Sequence, residues 1–228
     1  MALPLTIAID GPAASGKTTL AEIIAERLGY LFFDTGVMYR AMTLAAIQKL
    51  CFDNIEKEEA LTKLTQETDI NVTPPSINDG RKCDVYLNGV DVTNLLHIPE
   101  VDAKVSQVSA LPQVRDTLTS QQRIIGLRGN VVMVGRDIGT VVLPEADLKI
   151  FLDASLEERA VRRYKEVSKR DEKILFSSVL ESLKQRDHID STRKIAPLLK
   201  AKDAIVINSD GMNIEQVVAK VMESIRQN

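Results

Sequence analysis

The sequence predicts an α/β protein: a five-stranded parallel sheet with helices on both faces, carrying a small antiparallel β insertion. Three observations lead there. Five short apolar runs are continuous rather than alternating, as strands covered on both faces are. Stretches of helical period separate them. Residues 52–104 depart from this, with alternating polarity and an Asn-Gly pair at 88–89.

In chain order, LTIAI (5–9) is the first strand and leads into GPAASGKT (11–18). Lys17 to Gly29 reads as a helix, with Leu20, Ile23, Ile24 and Leu28 at helical spacing and Gly29 as its stop. LFF (31–33) is the second strand, followed by DTGVMYR (34–40). There Asp34 or Thr35 can cap a helix, and Tyr39 and Arg40 lie a turn inside it. DINVTPP, KCDVYLNG and VDVTNL form the antiparallel insertion, with Asn88-Gly89 as a hairpin turn. VVMV (131–134) is the third core strand, continued by VGRDIGT (134–140), and LKIFL (148–152) is the fourth. SLEE (155–158) reads as a capping box opening a helix. QRDHIDSTR (185–193) reads as helical, in a helix that Pro197 ends. AIVI (204–207) is the fifth strand, and a last helix starts near Ile214.

The chain has 228 residues, 44% hydrophobic and 27% charged, with net charge −3. That suits one sizeable domain, and nothing global points to nucleic acid. Cys51 and Cys83 lack metal-ligand spacing and fit a reducing cytosol. The N-terminus lacks the basic start of a signal peptide, and no apolar run approaches the roughly 18 residues that span a bilayer. The expectation is a cytoplasmic protein with no membrane or nucleic-acid partner. No long apolar surface stripe is evident, so a monomer is expected. Residues 52–104 hold 11 acidic and 5 basic residues, whereas 154–194 hold 11 basic and 8 acidic. Both are explained by solvated surfaces; alternatively, the basic segment meets polyphosphate.

Gly11, Pro12, Ala13, Ala14, Ser15, Gly16, Lys17 and Thr18 match G-x-x-x-x-G-K-[ST], and Thr19 follows. Small residues let successive N–H groups turn toward phosphate oxygens, and the next helix adds its positive end. Lys17 reaches the β- and γ-phosphates, and the Thr18 hydroxyl takes a Mg²⁺ position. The motif alone leaves GTPase switches, motor ATPases and small-molecule kinases open.

A second set of basic residues bears on that choice. Arg136 and Asp137 follow a buried strand, where ligands of open parallel sheets bind. Arg186, Asp190 and Arg193 fall at i, i+4 and i+7, on one helix face, with the arginines about 10 Å apart. Arg159, Arg162 and Arg163 lie within about one turn. His188 reads as a solvated histidine. Phosphoryl transfer needs positioning and charge neutralisation more than a base, and arginine forks match phosphate oxygens.

The set GPAASGKTT, DTGVMYR, SQVSALPQVR, GRDIGT, FLDASLEERAVRR and RDHIDSTR resembles the bacterial-type cytidylate kinase family, from about Leu5 to the C-terminus. The resemblance implies a P-loop nucleoside monophosphate kinase-like fold with a mobile lid. It implies transfer from ATP to CMP or dCMP, with Mg²⁺. It divides one kinase domain, 1–228, into a core (about 1–51, 105–153 and 195–228), a monophosphate-binding insertion (about 52–104) and a lid with arginine helices (about 154–194). Thr35, Tyr39 and Arg40 lie in the monophosphate site; Ser106, Arg115 and Asp137 read cytosine; Arg136 meets the CMP phosphate. Arg186 and Asp190 contact the sugar side, Arg193 the phosphates in flight, and Arg159 with its neighbours the lid over ATP. No run of four apolar residues ends directly in an Asp, so Thr18 is the one metal ligand named, with phosphates and waters completing the shell. Position 35 is Thr where many relatives have Ser, which keeps the hydroxyl. The rivals are a kinase for UMP or shikimate and a nucleotide-binding switch with no acceptor.

Overall fold

A computed structural model describes residues 3–50, 58–169 and 173–227. Cys51 and the start of the expected insertion lie outside them. All five expected core strands are present: β1 (Thr6–Asp10), β2 (Leu31–Asp34), β6 (Val131–Val134), β7 (Leu148–Asp153) and β8 (Ile205–Asn208). They form a parallel sheet in the order β2-β6-β1-β7-β8. Ile7 pairs with Leu148 and Ile150 with Ile205. From β1 the chain crosses to β2 at one edge and returns to β6 beside β1, then crosses to β7 and β8 on the other side, so the carboxyl end of β1 lies at the switch in strand order, where such sheets bind ligands.

The chain divides into two compact units, Met1–Tyr30 with Val132–Asn228, and Leu31–Val131. In the first, α1 (Lys17–Leu28) packs on α8 (Ile214–Gln227), and α6 (Leu156–Val167) on α7 (Phe176–Thr192). Leu20 and Ile24 of α1 are fully buried, as are Ile7 and Ile9 of β1 and Met133 of β6. Gly29 ends α1 at φ 69°, its N–H donating to the carbonyls of Ala25 and Glu26. Tyr164 and Phe176 meet edge to face, 5.8 Å between centroids, and tie α6 to α7.

Two helix ends differ from expectation. The capping box at 155–158 is half formed: Ser155 Oγ accepts from the Glu158 N–H, but the Ser155 N–H donates to Asp210 and the Glu158 carboxylate pairs with Arg162. The full reciprocal box stands elsewhere, between Asn213 and Gln216 at the start of α8. α7 also stops at Thr192, before Pro197. Arg193 is extended at its C-cap, so the run Arg186, Asp190, Arg193 is not one continuous helical face.

In the second unit α2 (Gly36–Lys49), α3 (Glu58–Gln66), α4 (Pro99–Ala110) and α5 (Pro112–Gly126) accompany a three-stranded antiparallel sheet, β3 (Ile70–Thr73), β4 (Asp84–Leu87) and β5 (Val90–Asp91). Asn88 and Gly89 both have positive φ, 50° and 80°, matching the twist of the hairpin they close. Arg81 stabilises this sheet as a nearly buried guanidinium bonded to Asp79, Asp84 and Asp91.

Candidate active site

The first unit builds its site at the carboxyl end of β1. Gly11 has φ 147°, and a Cβ there would lie 2.0 Å from the Leu152 carbonyl oxygen, so only glycine fits. Lys17 is buried, and its Nζ donates to the Pro12 carbonyl at 2.6 Å and to Ser15 Oγ at 3.4 Å. Thr18 and Thr19 are exposed on the first turn of α1.

The loop is held from behind by α6. Arg159 is buried; it donates to the carbonyls of Ala154 and Ala13 and pairs with Asp187 of α7 at 2.7 Å. Arg162 donates to the carbonyl of Ser15 at 3.2 Å and to Ser209 at two points. In a trans peptide the N–H points opposite to the C=O. Holding the Ala13 and Ser15 carbonyls toward α6 therefore turns the Ala14 and Gly16 N–H groups away from it. Ala13 also packs with Ala160, Val179 and Leu183, so the loop is seated on α6 and α7 by apolar contact as well. Arg163 is exposed and pairs with Glu166, and His188 and Arg186 are exposed on α7.

Beyond β6 the predicted arginines and carboxylates meet in one alternating chain. Arg136 Nε donates to Asp190 Oδ2 at 2.8 Å. Asp190 faces Arg193 at 3.6 Å, and Arg193 reaches Asp137 Oδ1 at 3.4 Å. Asp137 is buried, and its carbonyl accepts the Val141 and Val142 N–H groups of a one-turn π-helix, Ile138–Val142. The two carboxylate contacts of Arg193 are longer than the 2.7–2.9 Å of tight charged bonds, while its Nε donates to the Ala196 carbonyl at 2.6 Å and so anchors the guanidinium to the chain beyond α7.

Asp10 belongs to the site, though its sequence position alone did not mark it. It is buried at the end of β1, and its two oxygens accept from the Ile138 N–H at 2.9 Å and the Gly139 N–H at 2.7 Å. Burial pushes its carboxyl up to about 6; Asp137 adds to this, while the two N–H donors and Lys17 oppose it. The folded chain thus holds a proton that the unfolded chain has released between the ordinary 3.8 and about 6. The Asp10 contribution to stability falls as pH rises through that window, by ~3 kcal/mol in all, and is flat above it. Asp10→Asn, uncharged throughout, is expected to lack this slope. Denaturant melts should show the variant gaining ~2–3 kcal/mol on the parent protein across the window; parallel curves would refute the assignment.

In the second unit, Asp34 Oδ1 accepts from the Gly36 N–H and so caps α2 where either Asp34 or Thr35 was expected. Thr35 and Tyr39 are buried, and the Arg115 guanidinium lies 5.3 Å over the Tyr39 ring. Arg115 is itself buried and donates to the Ser109 carbonyl. Arg40 pairs with Asp102 at 2.5 Å and donates to the Leu96 carbonyl. Ser106 lies on α4.

Solved structures of similar fold include a gluconokinase from Sinorhizobium meliloti 1021, TM-score 0.50 at 15% identity over 100% of this chain and 94% of that one. Another, an uncharacterized protein from Eubacterium ventriosum ATCC 27560, gives 0.51 at 14% over 97% and 98%. These likenesses concern the fold alone. Sequence similarity reaches further. A cytidylate kinase from Geobacillus sp. (strain WCH70) is 49% identical, over 98% of this chain and 97% of its own length. Those of Carboxydothermus hydrogenoformans and Bacillus subtilis (strain 168) are 47% and 44% identical, over 97% and 98% of this chain and 97% of each relative. The family model described as cytidylate kinase matches residues 7–227, spanning both the phosphate loop and the Asp137 network, and the chain belongs to that family.

Proposed function

We propose that this protein transfers the γ-phosphate of ATP to CMP or dCMP, giving ADP and CDP or dCDP. One observation carries the reading most directly. A phosphate-binding loop and an alternating chain of Arg136, Asp190, Arg193 and Asp137 lie in the same unit, following β1 and β6. Membership of the family supports CMP as the acceptor.

The loop amides and Lys17 hold the donor phosphates, with Arg159 and Arg162 orienting the loop beneath ATP. Arg193 turns onto the group in flight, where charge spreads over its oxygens. Arg136 binds the CMP phosphate, already ionised and needing no base. Thr35, Tyr39 and Arg40 hold the monophosphate, and Arg186 and Asp190 the sugar side. Ser106 and Arg115 donate to the cytosine ring acceptors, and Asp137 accepts from N4.

Among the described residues no group of three or more His, Cys, Asp or Glu could hold a metal ion. Thr18, exposed next to Lys17, carries a hydroxyl of the kind that fits Mg²⁺, an ion that keeps several waters and is shared with substrate phosphates. Held there, Mg²⁺ would supply neutralisation of charge on the β- and γ-phosphates.

Uracil has no N4 donor, so UMP leaves the buried Asp137 carboxylate without that partner. Asp137→Ala is expected to lower kcat/KM for CMP far more than for UMP, closing ~1–3 kcal/mol of discrimination, or about 5–150-fold. Steady-state kinetics on both acceptors test this. Equal losses would remove Asp137 from the role of base reader.

A further inference from the structure

We propose that Asp10 is a positioning residue for acceptor selectivity: it fixes the main chain that follows Asp137, and so where the Asp137 carboxylate stands. This rests on the reading of Asp137 as the group that accepts from cytosine N4. The Ile138 N–H bonded to Asp10 Oδ1 shares a peptide plane with the Asp137 carbonyl, and the Gly139 N–H bonded to Oδ2 belongs to the next plane. Two consecutive planes held by one carboxylate set φ and ψ of Ile138, which joins them; the first plane contains the Asp137 Cα, so the start of the π-helix and the base of the Asp137 side chain are fixed together. The segment also lies close against the carboxylate, since a Cβ at Gly139 would be 3.4 Å from Asp10 Oδ2 and 3.2 Å from Lys149 Cδ. The Gly135 N–H, bonded to the Ile9 carbonyl at 3.2 Å, anchors the other side of Arg136 to the same strand.

The chemistry asks for a carboxylate. Both oxygens are acceptors, and two donors converge on them. Asparagine offers one oxygen and turns its NH₂ toward the second N–H. Lys17 supplies positive charge near Asp10, and Asp137 supplies negative charge. Holding a buried carboxylate here works against stability, and local choices that oppose stability collect at functional sites. Because Gly11 follows Asp10 directly, one strand end supports both the phosphate loop and the segment that carries the base reader.

The test is kcat/KM for CMP and UMP in the parent protein, Asp10→Asn, Asp137→Ala and the double variant. Asp10→Asn is expected to lower the CMP/UMP ratio by ~10-fold, with KM for ATP within about twofold. In the Asp137→Ala background it should change the ratio by less than about twofold, because it acts through Asp137. Proportional losses on both acceptors, or the same factor in both backgrounds, overturn the proposal. An unchanged ratio in Asp137→Ala alone overturns the base-reading assignment and this proposal with it. A changed ratio there with none in Asp10→Asn overturns the proposal alone. Should Asp10→Asn fail to fold, amide hydrogen exchange in the parent protein decides. Protection of Ile138 and Gly139, corrected for intrinsic rates, should fall ~10-fold as pH drops through the Asp10 titration. Equal protection on both sides overturns the idea.

Discussion

Lys17→Met is expected to lower kcat for CMP phosphorylation by ~10²–10³-fold, the loss typical of removing one preorganised donor from a developing charge. The side chain is buried and within 2.6 Å of the Pro12 carbonyl, so its ammonium is held against the loop before any phosphate arrives. Methionine keeps the stem and loses the charge, which limits the damage to packing. KM for CMP should stay within about twofold, because Lys17 has no part in the acceptor set. Arginine is not expected to rescue the variant: its planar fork needs more room than a buried ammonium. Steady-state kinetics with calorimetric titration of ATP separate these effects, and a kcat loss below about tenfold would take Lys17 out of the transfer step.

Gly11→Ala is expected to disrupt the phosphate loop and lower stability by ~3 kcal/mol or more, through φ strain and a backbone clash together. The added Cβ would lie 2.0 Å from the Leu152 carbonyl oxygen, a rigid β7 atom that no side-chain rotation can move aside. Gly211 is the internal control, with φ +66° and nothing within 4 Å of an added Cβ. Gly211→Ala should lose only ~1–2 kcal/mol, the strain of a left-handed residue. Chemical denaturation of both variants, with ATP titration of whichever folds, reads the difference. A Gly11→Ala protein as stable as Gly211→Ala, and still binding ATP, would show that the β7 contact is not a constraint.

Local features of the fold were legible. A strand buried on both faces has no polar side to reveal, so VVMV announces β6 by continuity alone. Asn88-Gly89 announces the hairpin because few other residues tolerate two consecutive positive φ values. The phosphate loop was legible for the same reason: its chemistry lies in eight consecutive residues.

What escaped depends on distant parts of the chain. Nothing near Asp10 says that its oxygens meet amides 128 and 129 residues later. Arg159 read as one member of a basic patch over ATP, yet its partners include the Ala13 carbonyl, 146 residues earlier, and Asp187 on the next helix. Asp187 carries no local signal, since helical spacing from Arg186 favours Asp190. Arg193 was assigned to a helical face on spacing alone, and the helix ends one residue before it. The box at Asn213–Gln216 did carry a local signal, N-x-x-Q before an apolar helix.

The central claim is transfer from ATP to a cytidine monophosphate, and the most direct measurement is an acceptor panel. ATP and Mg²⁺ are incubated with CMP, dCMP, UMP, AMP, shikimate or no acceptor, while ADP and the phosphorylated product are followed. The account predicts CDP and dCDP with matching ADP, slower reaction with UMP, and ADP release without acceptor far below the transfer rate. ADP release that ignores the acceptor, or a faster reaction with another member of the panel, would contradict it.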